Sequence, residues 1–116
     1  MNAKEELLGK IEQINKWLDG TKMICASITL DPFGHWDDEP KSYILRQGHT
    51  PFELEGFLNS LDLEYSSGYG SQELFGTVWF TNGIWMDRYE YDGSEHWDIH
   101  RYPAIPHELH NIHHIS

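Results

Sequence analysis

The chain has 116 residues, the usual size of one domain, so we expect a single folded unit over residues 1–116. Its aromatic content of 14% offsets a modest hydrophobic content of 39% and argues against intrinsic disorder. The 19 acidic and 8 basic side chains give a formal net charge of −11. A field of that sign repels DNA and RNA and attracts basic protein surfaces, so direct binding of nucleic acid is disfavoured.

Cysteine usage and hydropathy indicate the compartment. The single cysteine, Cys25, has no internal partner for a disulfide, and its strand-like surroundings predict a small buried side chain. The sequence contains neither a basic-then-apolar leader nor an apolar run long enough for a membrane span. We therefore expect a cytoplasmic protein without a membrane partner.

The chain begins with a predicted amphipathic helix followed by a strand. Asn2 and Glu5 form a potential capping pair, and Gly20 is a plausible stop. Between them, apolar residues recur at helical spacing at Leu7, Ile11, Ile14 and Leu18. Residues 22–30 then alternate with a period of two and are rich in β-branched side chains, which predicts a strand.

An acidic loop and a second strand come next. Residues 31–40 contain two prolines, a glycine and the triplet Asp37, Asp38 and Glu39, a composition typical of an exposed loop. Residues 42–47 return as a strand.

A second helix is predicted from its N-terminal signals. Thr50 is the expected cap, Pro51 occupies the first helical position, and Glu53 is the reciprocal glutamate. The apolar stripe of this helix consists of Leu54, Phe57, Leu58 and Leu61. Residues 61–65 then alternate as a strand, and the glycines and serines of residues 66–71 predict a mobile loop.

The clearest pattern is a three-stranded antiparallel meander. Residues 74–81, 84–91 and 94–100 read as strands, joined by the dipeptides Asn82-Gly83 and Asp92-Gly93, which favour tight hairpin turns. Together these elements predict an α+β fold, with an antiparallel sheet packed on one face by two helices, in the order α-β-β-α-β-β-β-β.

The C-terminal tail, residues 102–116, is expected to wrap around the domain or project from it. Pro103 and Pro106 should end the sheet. The tail also holds His107, His110, His113 and His114, whose spacing differs from that of zinc metalloproteases. Adventitious metal affinity is the favoured interpretation of these histidines.

Two-residue loops at both turns would set the register of the meander and sort its side chains onto two faces. The expected cross-strand pairs are Phe80 with Trp85, Val78 with Asp87, Asp87 with Asp98, Tyr89 with His96, and Trp85 with His100. The face predicted to pack on the helices holds Phe75, Thr77, Trp79, Ile84, Met86, Trp97 and Ile99, with Arg88 near its edge. The opposite face is predicted to hold Phe80, Trp85, Asp87, Tyr89, Tyr91, His96, Asp98 and His100.

This second face has three interpretations. Directly opposed carboxylates cost stability unless something compensates them. The plainest interpretation is a solvated polar face, with Asp87 and Asp98 in water or bonded to a histidine or tyrosine. The face could instead bind a partner protein, because exposed tryptophan and tyrosine are enriched at interfaces. Metal binding is the third interpretation.

Two segments of the chain resemble a family of small uncharacterised bacteriophage and prophage proteins. They are Gly-Tyr-Gly-Ser-Gln-Glu-Leu-Phe-Gly-Thr at residues 68–77 and Tyr-Glu-Tyr-Asp-Gly-Ser-Glu at residues 89–95, and the resemblance extends over residues 43–109. His96 stands where the family pattern has a second tryptophan before Trp97. The family has no established activity or catalytic residues. The resemblance implies a phage context, in which small acidic proteins often disable a host enzyme or defence complex in the host cytoplasm.

These observations favour a non-enzymatic phage inhibitor of anti-CRISPR or anti-restriction type, without a cofactor. It would bind a basic, nucleic-acid-binding host protein, in part by nucleic-acid mimicry. The predicted binding residues are Asp37, Asp38, Glu39, Trp85, Asp87, Tyr89, Tyr91, His96, Asp98 and His100.

Two other functions and the oligomeric state stay open. One alternative is a sponge for a nucleotide immune signal, in a pocket lined by Trp79, Trp85, Tyr89, Arg88 or Arg101. Another is a small metal-dependent enzyme that uses Asp87, His96, Asp98 and His100. The sequence also leaves open whether the chain forms a homo-oligomer.

Overall fold

The computed structural model describes residues 1–31, 39–65, 72–91 and 94–102. Within them, two helices, α1 (Ala3–Trp17) and α2 (Pro51–Ser60), accompany five strands. The strands are β1 (Met23–Leu30), β2 (Lys41–Leu45), β3 (Leu74–Phe80), β4 (Ile84–Tyr91) and β5 (Ser94–Arg101). They form one antiparallel sheet in the order β2-β1-β3-β4-β5, which confirms the α+β class and the C-terminal meander.

Both helix starts are capped as predicted. The side chain of Asn2 accepts a hydrogen bond from the backbone N–H of Glu5 at 3.0 Å. Thr50 and Glu53 form a reciprocal capping box at α2, with Pro51 in the first turn. These local bonds satisfy backbone donors that a helix start otherwise leaves without partners. Neither helix in the described part of the chain is long and apolar enough to cross a bilayer.

Residues 61–65 contribute a single bridge rather than a full strand of the sheet. Glu64 pairs with Asn2, outside the named strands. The N–H of Ala3 donates to the carbonyl of Leu63 at 3.0 Å, and the N–H of Tyr65 donates to the carbonyl of Met1 at 3.0 Å. The predicted strand thus pairs with the N-terminal residues Met1 and Asn2 and with Ala3 at the start of α1.

In the described residues, one hydrophobic core lies between the helices and one face of the sheet. From α1 it receives Leu7 and Ile14, and from α2 it receives Phe57. The buried apolar side chains of the meander are Leu74, Val78, Phe80, Ile84, Met86 and Trp97. Both helices therefore cover the same face, as predicted.

The predicted register of the second hairpin is confirmed, and that of the first is wrong by one residue. Asp87 lies opposite Asp98, Tyr89 opposite His96, and Trp85 opposite His100. In the first hairpin, Trp79 lies opposite Trp85, Val78 opposite Met86, and Thr77 opposite Asp87. The inner and outer residues of β3 are therefore exchanged relative to the prediction. Phe80 is buried, whereas Phe75, Thr77 and Trp79 lie on the side away from the helices.

The extra residue of the first turn is Thr81. Thr81 donates its backbone N–H to the carbonyl of Lys22, and its hydroxyl accepts from the N–H of Lys22, both at 2.9 Å. Asn82 and Gly83 then adopt left-handed backbone conformations, with φ of 66° and 72°. Thr81 is therefore held by the chain just before β1 and joins the loop instead of pairing with Ile84.

Gly76 lies opposite Ile28 of β1 with no room for a side chain, so its replacement by alanine should destabilise the fold. A β-carbon at this position would contact the carbonyl oxygen of Ser27 and lie 2.9 Å from the Cα of Ile28, both backbone atoms. We expect Gly76→Ala to lower the free energy of unfolding by about 1–3 kcal/mol. Urea denaturation of the variant and the wild type would measure this change in the free energy of unfolding.

Gly9→Ala is the matched control, since a β-carbon at Gly9 in α1 meets nothing within 4 Å. A helical alanine in place of glycine should raise the free energy of unfolding by roughly 0.5–1 kcal/mol. Equal effects of the two substitutions would contradict the close approach of β1 and β3 at Gly76.

Candidate binding face

The face of the sheet turned away from the helices, which we name the outer face, is rich in aromatic and polar side chains. Strand alternation places its residues between the buried ones. From the meander it holds Phe75, Thr77, Trp79, Trp85, Asp87, Tyr89, Tyr91, His96, Asp98 and His100. Seven of these are residues that sequence analysis had assigned to a binding surface.

Several aromatic side chains of the outer face are open to solvent. Tyr91 is 70% exposed, and Tyr89, Trp79 and Phe75 are each at least 40% exposed. Phe75 and Trp79 belong to β3, and Tyr89 and Tyr91 belong to the neighbouring β4, so the four lie on one surface of two paired strands. Large exposed apolar side chains that adjoin one another are typical of interaction sites.

An acidic and imidazole cluster lies beside these aromatic residues. Asp87 and Asp98 are directly opposed on β4 and β5. Nε2 of His100 lies 2.8 Å from Oδ1 of Asp87 and 3.5 Å from Oδ2 of Asp98. The ring of His100 stacks on Trp85, with centroids 4.2 Å apart and planes inclined by 24°. The Nε2 atom of His100 therefore lies close to both of the opposed carboxylates.

His96 does not join that cluster. Its ring contacts Tyr89, with centroids 5.2 Å apart and planes inclined by 57°. Only part of the metal-binding set predicted from the sequence is therefore brought together in the structure. Asp87, Asp98 and His100 come together, and His96 belongs to an aromatic contact.

A cleft of about 410 Å³ opens near the end of the first hairpin. Trp79, Trp85 and Tyr102 line it, with the half-buried Cys25 beside them. Arg88, which we considered as a ligand-binding residue of such a pocket, lies instead on the face covered by the helices. The cleft is therefore lined by two of the residues expected of a nucleotide pocket, Trp79 and Trp85, whereas Tyr89, Arg88 and Arg101 are not among its lining residues.

Arg88 is the centre of a buried ion network. Its Nη1 donates to Glu6 at 3.0 Å, and its Nη2 donates to Glu95 at 2.6 Å and to the hydroxyl of Tyr65 at 3.0 Å. The Tyr65 hydroxyl donates to Glu6. Arg88 also lies over the ring of Trp97, 5.0 Å from its centroid. This arrangement connects α1, the chain after α2, and the β4–β5 hairpin.

The charges of this network follow from its surroundings. Burial disfavours the charge on Arg88, but Glu6 and Glu95 outweigh burial and raise its pKa. Burial, together with the hydrogen bond to Glu6, raises the pKa of Tyr65, so its hydroxyl stays protonated as a donor. Glu95 also accepts from the backbone N–H groups of Glu73 and Leu74 at 2.8 and 3.1 Å. The network therefore has a structural role.

The predicted acidic triplet is described only in part. Asp37 and Asp38 lie outside the described residues. Glu39 is exposed just before β2, at the edge of the sheet opposite β5. Asp87 and Asp98 lie on β4 and β5.

Sequence analysis missed Phe75, Thr77 and Trp79 as residues of the outer face. Both sides of β3 carry large apolar side chains, so its hydrophobic pattern contained no signal for the correct face. The error came from assuming a two-residue turn at Asn82-Gly83.

Comparison of the chain with family models, with curated proteins and with solved structures found no match. The resemblance to phage proteins over residues 43–109 therefore stays a prediction.

Proposed function

We propose that this chain is a non-enzymatic inhibitor that binds a basic host protein through its outer face. The observation that supports this most is the combination of solvent-exposed aromatic side chains with the opposed pair Asp87 and Asp98 on one open sheet surface. Tyrosine and tryptophan provide contact area at low entropic cost, and carboxylates beside them select positively charged partners.

The outer face supplies both parts of such an interface. Trp79 and Tyr89 are half-exposed, so they have apolar surface left to bury against a partner. The carboxylates of Asp87 and Asp98 are also half-exposed. An arginine of the partner can bind them in a bidentate manner, which is stronger and more directional than a simple contact of charges.

The net charge of −11 defines the class of partner. A chain so negative is repelled by nucleic acid and steered towards surfaces that normally bind it. Host nucleases and guide-RNA complexes have such surfaces, so the specific form of the proposal is an anti-restriction or anti-CRISPR protein of a phage. The acidic triplet Asp37, Asp38 and Glu39 would add to the negative charge that steers a basic partner towards the chain.

Replacement of outer-face aromatic residues should weaken partner capture. The chain is immobilised and exposed at low salt to lysate of bacteria with active restriction or CRISPR systems, and each captured protein is then purified for calorimetry. We expect a basic nucleic-acid-binding protein whose affinity falls with salt. Trp79→Ala and Tyr89→Ala should each lower the affinity of the chain for this captured protein by about tenfold or more.

Phe52→Ala is the matched control, because Phe52 is 83% exposed on α2 and lies away from the outer face. To test the role of charge, Asp98→Asn on β5 is compared with Glu55→Gln, which removes an exposed carboxylate of α2. In the cell, the wild-type chain should restore phage plating against the captured system, and Trp79→Ala should not. Failure to enrich a basic protein, or equal binding by Trp79→Ala and Phe52→Ala, would contradict the proposal.

A further inference from the structure

Three potential metal ligands converge on the outer face. Within the described residues, one ligand atom each from Asp87, Asp98 and His100 lies within 4.8 Å of the other two. All three side chains are partly exposed, at 42%, 49% and 34%, so an ion can reach them from solvent. The three residues are held in place by the paired backbones of β4 and β5.

We propose that Asp87, Asp98 and His100 form a binding site for one divalent transition-metal ion of the Zn²⁺ type. Ligand atoms bound to zinc in tetrahedral geometry lie roughly 3.4 Å from one another, given bonds of about 2.1 Å. Nε2 of His100 lies 2.8 Å from Asp87 and 3.5 Å from Asp98, so small side-chain rotations bring the ligand atoms to that spacing.

The electrostatics of the cluster favour a cation. Two carboxylates face each other directly across β4 and β5, a pairing that repels. A divalent ion between them replaces this repulsion with two favourable contacts. The stack on Trp85 fixes the plane of the His100 ring, so little side-chain entropy remains to be lost when the ion binds.

The donor set decides which ions fit. An imidazole nitrogen with two carboxylate oxygens suits Zn²⁺ and its neighbours in the transition series better than Mg²⁺ or Ca²⁺, which prefer oxygen ligands alone. Three protein ligands leave at least one coordination position for water or for a group from another molecule. His96 is not a ligand, because it packs on Tyr89.

The test must separate this site from the histidines of the tail. We therefore use a full-length background chain in which His107, His110, His113 and His114 are replaced by glutamine, purified without a histidine tag. Zn²⁺ titration by calorimetry should give one saturable equivalent, and Co²⁺ should give visible absorption bands of a mixed nitrogen and oxygen site. Added Zn²⁺ should also raise the melting temperature.

In this background, His100→Gln and Asp98→Asn should each weaken Zn²⁺ binding by about 10–100-fold or more, since loss of a ligand costs at least as much as loss of an outer-shell partner. His96→Gln on the same face should bind like the background. Absence of saturable binding, or unchanged affinity in His100→Gln, overturns the proposal. The measurement uses the protein alone, so its outcome does not depend on whether the outer face binds a host protein.

Discussion

Replacement of Arg88 by methionine should lower the free energy of unfolding by about 3–5 kcal/mol, the effect expected when one member of a buried ion network is removed. The side chains of Arg88, Glu6 and Glu95 are 1%, 9% and 2% exposed. Without the guanidinium, both carboxylates remain buried without a counter-charge. The hydroxyl of Tyr65 also loses one of its two partners.

Urea denaturation followed by tryptophan fluorescence measures this change. Arg101→Met is the control, since Arg101 is exposed near the end of β5 and the substitution makes the same change in charge. It should shift the free energy of unfolding by less than about 0.5 kcal/mol. Arg88→Lys should lie between wild type and Arg88→Met, because an ammonium group cannot reproduce the fork that contacts Glu6 and Glu95 together. Equal stability of the Arg88→Met and Arg101→Met variants would contradict the network.

Trp97→Ala should cost roughly 3–5 kcal/mol of stability, the range for truncation of a buried aromatic side chain. Trp97 is 1% exposed and is among the largest fully buried side chains of the core. Its ring also lies beneath the guanidinium of Arg88, so its loss removes a cation–π contact as well as apolar burial.

The adjacent Asp98→Ala is the informative comparison. Asp98 is half-exposed on the outer face and opposes Asp87, so its removal should leave stability unchanged or raise it by up to about 1 kcal/mol. Both variants are measured by urea denaturation with a chelator present, so that bound metal does not stabilise the wild type. Equal losses from the two substitutions would mean that β5 has the opposite face in the core.

The second hairpin shows how far local sequence information reaches. Asp92-Gly93 predicts a two-residue turn, and the pairs that follow from it are those observed between β4 and β5. Apolar residues at Ile84, Met86 and Trp97 also agree with the predicted inner face. Turn chemistry and hydrophobic pattern both predicted this register, so the positions of Asp87, Asp98 and His100 were predictable.

The first hairpin lacked such agreement. Asn82-Gly83 is compatible with more than one loop length, since its left-handed residues also fit a three-residue turn. The side chains of β3 could not decide, because Phe75 and Trp79 are as apolar as Leu74 and Phe80. Because the observed turn is one residue longer than the predicted one, every side chain of β3 lies on the face opposite to its predicted face.

The buried ion network was only partly predictable. Arg88 was expected near the edge of the inner face, and the structure places it on that face with its side chain buried. Its partners could not be predicted, because Glu6 is 82 residues away along the chain and Tyr65 is 23 residues away. Nothing in local periodicity reports such contacts.

The sequence by itself determined the helix starts, the order of the elements and the pairing of β4 with β5, because capping, periodicity and turn preference act between residues close together in the chain. Only the tertiary structure decided the turn at Thr81, and with it the face to which Trp79 belongs. The physical reason is that Thr81 bonds to Lys22, 59 residues away, in preference to the neighbouring strand. The same kind of long-range contact gathered Glu6, Tyr65 and Glu95 around Arg88.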